Sequence, residues 1–216
     1  MSETLQQLAL FSLEAPCPLS GLSYHADFIA PAEEQSLLTA LDEGVWSDDI
    51  NRRAQQFGYH YSIRSRIRAN AAQYAGPLPA WCRFVTQRIQ ARDLFTPELD
   101  QMIAQEYLPG QGIGLHTDLE SLREDVVCIL SLGSQVEMTF LQPSTGARWA
   151  RMLWPRSLLL IAGEARYDWQ HGIPKRRSDF YEARRLPRGR RISLSFRHLG
   201  KDAYPLTGKG RADDAR

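Results

Sequence analysis

The chain has 216 residues, 26 basic and 25 acidic side chains, a formal net charge of +1, and 43% hydrophobic and 24% charged residues. This is ordinary globular composition for one self-supporting domain, and it excludes collagenous, repetitive and disordered classes. Cys17, Cys82 and Cys128 stand far apart with no CxxC pair, so neither a disulfide framework nor a thiolate zinc site can be drawn, and a reducing cytoplasm is expected.

In chain order, residues 1–50 carry nine acids and no Lys or Arg. Without a basic leader the chain is expected not to be exported. Pro31, with Glu33 and Glu34 behind it and Leu37, Leu38 and Leu41 at helical spacing, predicts a short amphipathic helix ending near Gly44. Residues 51–92 hold eight arginines and no acid, and the Arg- and Tyr-rich stretch from Asn51 to Tyr74 separates the first helix from a second. That second helix, marked by Trp81, Phe84, Val85 and Ile89, is expected to run about four turns and end before Pro97.

From residue 101 the pattern changes to short apolar runs bounded by turn residues: Gln101 to Leu108, Val126 to Leu132, Val136 to Leu141, Arg156 to Ile161 and Arg190 to His198. Five strands at this spacing predict an antiparallel sandwich or barrel with helices packed on it, an α+β arrangement. The longest aliphatic run, Leu158 to Ala162, is far shorter than the roughly 20 residues of a membrane-spanning helix, so no membrane is expected. Residues 201–216, rich in Gly, Lys and Asp, predict a flexible tail.

His116-Thr117-Asp118 is the first chemical signal, because residues two apart in an extended strand project from one face. With His171 it makes two imidazoles and one carboxylate, the ligand set of non-haem Fe(II) oxygenases, although zinc hydrolases use similar sets. In Arg191 to Arg197, Ile192, Leu194 and Phe196 face one way and Arg191, Ser193, Ser195 and Arg197 the other. If the polar face lines a barrel interior, its guanidinium groups need an anion such as a small dicarboxylate. Gln105 and Tyr107 share a face of the preceding strand and could hydrogen-bond the same anion.

These motifs in order, Gln105-x-Tyr107, His116-x-Asp118, Gly163-Glu164-x-Arg166 leading to His171-Gly172-Ile173, and Arg191-x5-Arg197, resemble the AlkB family of Fe(II)- and 2-oxoglutarate-dependent dioxygenases over roughly residues 45–198. Pro109 to Asp118 with Leu130 to Ser134 is especially similar to the eukaryotic homologue that hydroxylates a modified wobble uridine in tRNA. The resemblance implies a double-stranded β-helix, or jelly roll, with N-terminal helices and a nucleotide-recognition lid: one domain over 1–200, the lid at about 45–75 and the core at about 101–199. It implies Fe(II) held by His116, Asp118 and His171, and 2-oxoglutarate held by Arg191 with Tyr107, Gln105 and Arg197, with O2 as the second cosubstrate. Gln105 stands where the family more often has Asn, and Ile161 and Ala162 stand near where repair members carry a base-stacking tryptophan. The implied substrate is a base in DNA or RNA, with Arg52, Arg53, Tyr59, Tyr61 and Glu120 as candidate contacts to a flipped or unpaired nucleotide. The same chemistry on a protein side chain or metabolite, and a non-catalytic nucleic-acid-binding jelly roll, are the alternatives. A monomer is expected.

Overall fold

A computed structural model describes residues 19–48, 52–60, 72–94, 98–118 and 126–199. The sequence pattern sets the first helix, α1 (Pro31–Asp42): Pro31 occupies the first helical position, where its missing N–H costs nothing, and the Glu33 carboxylate accepts the Ala30 N–H at 2.7 Å. The second, α2 (Arg83–Ala91), is entered through a 3-10 turn at Ala80–Cys82 and buries Val85 and Ile89. It is shorter than the four turns expected. A third, α3, spans Gly163–Tyr167.

The strands form two main antiparallel sheets. The larger has the order β1 (Leu22–His25), β10 (Leu158–Ala162), β7 (Val126–Gly133), β14 (Arg191–Arg197), β5 (Gln101–Tyr107), β2 (Ala54–Phe57). The smaller has the order β6 (Ile113–His116), β11 (Gln170–Ile173), β8 (Val136–Leu141), β9 (Arg148–Leu153). Two hairpins stand apart from these, β3 (Tyr59–His60) with β4 (Gln73–Tyr74), and β12 (Ser178–Tyr181) with β13 (Arg184–Pro187). All five expected strands are present within one or two residues of their predicted ends.

Alternation along each strand divides the interior into two layers. Ile192, Leu194 and Phe196 of β14 join Met102, Ala104, Leu130 and Leu132 against Leu37 and Leu41 of α1 and Val85 and Ile89 of α2. The opposite face contributes Val127, Ile129 and Tyr107 to the space between the sheets, with Val136, Met138, Phe140 and Ile173. Truncating a residue such as Leu130, which has no exposed surface, would cost about 2–5 kcal/mol.

β14, central in the larger sheet, is buried on both faces, and its two arginines are buried with it. The charge sorting along the sequence becomes ion pairing in space. Glu33 meets Arg88, Asp27 meets Arg156, and Asp42 with Glu106 holds Arg190. Cys82 and Cys128 are free and buried, and burial pushes both thiols up to about 12.

Candidate active site

β6 and β11 are hydrogen-bonded neighbours in which His116 lies directly opposite His171. Their rings stand 4.6 Å apart between centroids, and Phe140 on β8, the other register partner of His171, packs 6.4 Å from that ring. β6 ends at His116, and the chain leaves the strand before Asp118. That departure swings the carboxylate toward the imidazoles: Oδ1 is 3.6 Å from His116 Nε2 and 4.0 Å from His171 Nε2. One potential ligand atom from each of the three residues falls within 4.8 Å of the others, and among the described residues this is the one such cluster.

The protonation states suit a divalent cation. His116 Nδ1 lies 2.9 Å from the Gly114 carbonyl, which can only accept, so the proton sits on Nδ1 and Nε2 offers a lone pair toward the cluster. Burial pushes His171 down to about 4, leaving it neutral. Burial opposes ionisation of Asp118, but Arg197, whose Nη2 lies 3.6 Å from Oδ2, and the two imidazoles outweigh it and hold the carboxyl well below the usual range. Arg166 on α3, buried itself, donates from Nη1 to the Asp118 backbone carbonyl at 2.9 Å. Two imidazoles and one carboxylate are the donor set of a non-haem iron centre.

β14 carries the second half of the site. Its register pairs Arg191 with Tyr107, Ser193 with Gln105 and Arg197 with Gln101 on β5, and Ser193 with Ser131 on β7. The polar face points between the sheets, as the alternation predicted. Arg191 is 2% exposed; Nη2 donates to Ser131 Oγ at 3.0 Å, while Nε and Nη1 are buried and without a hydrogen-bond partner. Burial drives this guanidinium down to about 10. A buried cation with two unspent donors fits a carboxylate, which the fork binds in bidentate fashion. Tyr107 Oη donates to Gln105 Oε1 at 3.1 Å beside it. Arg191 and Arg197 stand six residues apart on one face of β14, with Arg197 at the cluster end.

The candidate substrate residues divide. Arg52 places its guanidinium carbon 5.2 Å from the Tyr107 ring centroid, and its Nε is buried without a hydrogen-bond partner. Arg53 is already engaged, bidentate to Glu106 at 2.7 and 2.8 Å and stacked 5.1 Å from Trp46, so it serves to anchor β2. Phe57 likewise packs edge-on against Trp81. Tyr59 pairs with Tyr74 across the β3–β4 hairpin, ring centroids 5.2 Å apart, and Tyr74 is 61% exposed. Tyr61, Glu120 and the tail from residue 201 lie outside the described residues. Sequence reasoning missed Ser131, because a serine in an apolar strand carries no signal of its own, and Tyr74, whose partner is named only by the hairpin register.

The family model described as the 2OG-Fe(II) oxygenase superfamily matches residues 21–197. "Uncharacterized protein L905" of Acanthamoeba polyphaga mimivirus is 30% identical over 89% of the chain and 91% of its own length. The mouse "Alpha-ketoglutarate-dependent dioxygenase alkB homolog 7, mitochondrial" is 31% identical over 84% of the chain and 80% of its length. "tRNA (carboxymethyluridine(34)-5-O)-methyltransferase alkbh8" of Xenopus tropicalis is 31% identical over 81% of the chain, which spans 28% of that protein. Among solved structures, "The structure of OsALKBH1" superposes with a TM-score of 0.60 at 17% identity over 83% of the chain and 99% of the other, a likeness of fold.

Proposed function

We propose, for a chain that belongs to the 2OG-Fe(II) oxygenase superfamily and is an AlkB-like dioxygenase using Fe(II), 2-oxoglutarate and O2, that its substrate is an unpaired nucleic-acid base, which it hydroxylates or oxidatively demethylates. The observation that carries this reading is the Tyr59–Tyr74 pair, with Tyr74 exposed and Tyr59 half-buried, and its tie to the metal end of the barrel. The Tyr59 carbonyl accepts the Gln101 amide at 3.0 Å; Gln101 is the register partner of Arg197, and Arg197 faces Asp118. An exposed aromatic face such as that of Tyr74 is what stacking of a splayed base requires. Relatives named for action on tRNA and as a "Probable RNA/DNA demethylase ALKBH6" support the same substrate class.

In this reading His116, Asp118 and His171 hold the iron, which with 2-oxoglutarate and O2 supplies oxidation of a substrate C–H bond, yielding succinate and CO2. The protein's own part is placement. Arg191, backed by Ser131 and Tyr107, anchors the distal carboxylate of the cosubstrate, and Arg197 neutralises the cluster end. Phe140 and the inter-sheet apolar layer exclude water. The β3–β4 hairpin, within the segment expected as a lid, presents the base. Incubating the iron-loaded protein with a panel of methylated and wobble-modified oligonucleotides and following mass change tests this. Loss of a methyl group or gain of one oxygen on a base supports it; turnover restricted to peptides or metabolites would overturn it.

A further inference from the structure

The loop Pro109 to Gly112 and the start of β6 lie against the segment after β11: the Gly110 N–H donates to the Arg176 carbonyl at 3.2 Å, and a Cβ at Gly112 would sit 2.2 Å from the Ile173 carbonyl oxygen. Only glycine permits that approach. The result is a cleft of about 310 Å³ lined by the backbone of Gly110 to Gly114 and by Arg52 and Lys175. Among the described residues no carboxylate lines it.

The neighbouring cations are sorted by use. Arg176 and Arg188 are spent on Asp179 and Glu137, with contacts of 2.6 to 2.7 Å. Lys175 and Arg177 between them are exposed and have no ion-pair partner among the described residues; the Arg177 side chain would pass 3.8 Å from a Cβ at Gly110. Arg52 supplies the buried Nε that no acceptor meets. Gly114, which lines the cleft, shares a strand face with His116 two residues on, roughly 7 Å along the strand, and a Cβ at Gly114 would meet nothing within 4 Å.

We propose that this cleft is a phosphodiester subsite: Arg52 and Lys175, with Arg177 at the rim, clamp a backbone phosphate of a single strand next to the nucleotide whose base enters over Gly114. The inference rests on the nucleic-acid reading above and adds the place where the strand is gripped. A glycine backbone beside cations selects phosphate by charge and by close approach, and reads no sequence.

The test is fluorescence anisotropy with a labelled oligothymidylate strand, full-length protein loaded with Mn(II) and 2-oxoglutarate, over a salt series. Lys175→Glu should weaken binding roughly tenfold and lower the salt slope by about 0.7, the share of one single-strand phosphate contact. Arg52→Gln should do the same. Arg148→Glu makes the same charge change on exposed β9, the opposite edge of the smaller sheet from β6, and should leave the slope alone. If Lys175→Glu behaves like Arg148→Glu while the wild type binds the strand, the subsite is wrong and the nucleic-acid reading stands. A wild type that binds no strand overturns both. Displacement of the strand by polyglutamate at equal charge concentration would assign the cleft to acidic polypeptide and overturn the phosphodiester assignment.

Discussion

Arg191 and Tyr107 are register partners across β14 and β5, and the guanidinium carbon lies 5.4 Å from the centre of the phenol ring. The ring steadies a cation that burial has stripped of water, while two of its nitrogens remain unspent. Lysine keeps the charge but not the planar fork. Arg191→Lys should therefore weaken 2-oxoglutarate binding roughly tenfold in titration calorimetry, with oligonucleotide affinity little changed. Unchanged cosubstrate affinity would remove Arg191 from that site.

Asp118 is one of the three residues proposed to hold the iron, and its carboxylate faces Arg197. Asp118→Ala should abolish metal uptake, read by Co(II) absorption, and succinate formation, while circular dichroism shows the sheets intact. Normal turnover in that variant would disprove the iron assignment.

Arg166 reaches Asp118 through its backbone rather than its carboxylate, which makes it a positioning residue. Groups that orient ligands in this way typically carry 10- to 100-fold in metal affinity. Arg166→Met should shift the Co(II) titration by about that factor and alter the band position, and Arg166→Lys should recover part of it. A folded Met variant with wild-type titration and spectrum would leave Arg166 a purely structural role.

Tyr74 is exposed against Tyr59. Tyr74→Ala should cost about 1–3 kcal/mol of single-strand affinity by anisotropy, and Tyr74→Phe almost nothing, because stacking needs the ring and not the hydroxyl. Equal losses in both variants would point to hydrogen bonding instead.

Glu33 is pulled down to about 2, chiefly by paired hydrogen bonds from Arg88. A carboxylate with a depressed folded value adds stability that is fully present above its ordinary range and is lost as pH falls toward 2. With both side chains 30% exposed, solvent screening limits this to about 1 kcal/mol. Glu33→Gln should lower the melting temperature at pH 7, and the difference from wild type should vanish on acidification between about pH 4.5 and 2. A gap that persists at pH 2 would assign the loss to packing.

The core strands and the polar face of β14 were legible in the sequence because both rest on alternation. A two-residue period tells which face of β14 is polar, and that period alone places Arg191 and Arg197 together. Asp118 departs from that logic: it meets the histidines because β6 stops at His116 and the chain bends, which periodicity does not encode. Arg53 was misleading for a different reason. Its composition context, Arg beside aromatic residues, suits phosphate contact, but its partner Glu106 lies 53 positions away, and only the β2–β5 register joins them. The short β1, β9, β11, β12 and β13 were missed because four to six residues beside arginines and turns carry too little pattern to outweigh a loop reading.

β14 follows every other described strand in the chain, yet it sits between β5 and β7 at the centre of the larger sheet. On the ribosome, β5 and β7 are therefore both made well before the strand that joins them, each with an open edge facing the other. The nascent chain holds an incomplete sheet until Arg191 to Arg197 arrive, and the same segment brings Arg191, the cation proposed to anchor the cosubstrate. On that proposal architecture and catalytic competence are completed by one late event, and a chain interrupted before that strand has neither a continuous sheet nor the cation proposed for 2-oxoglutarate.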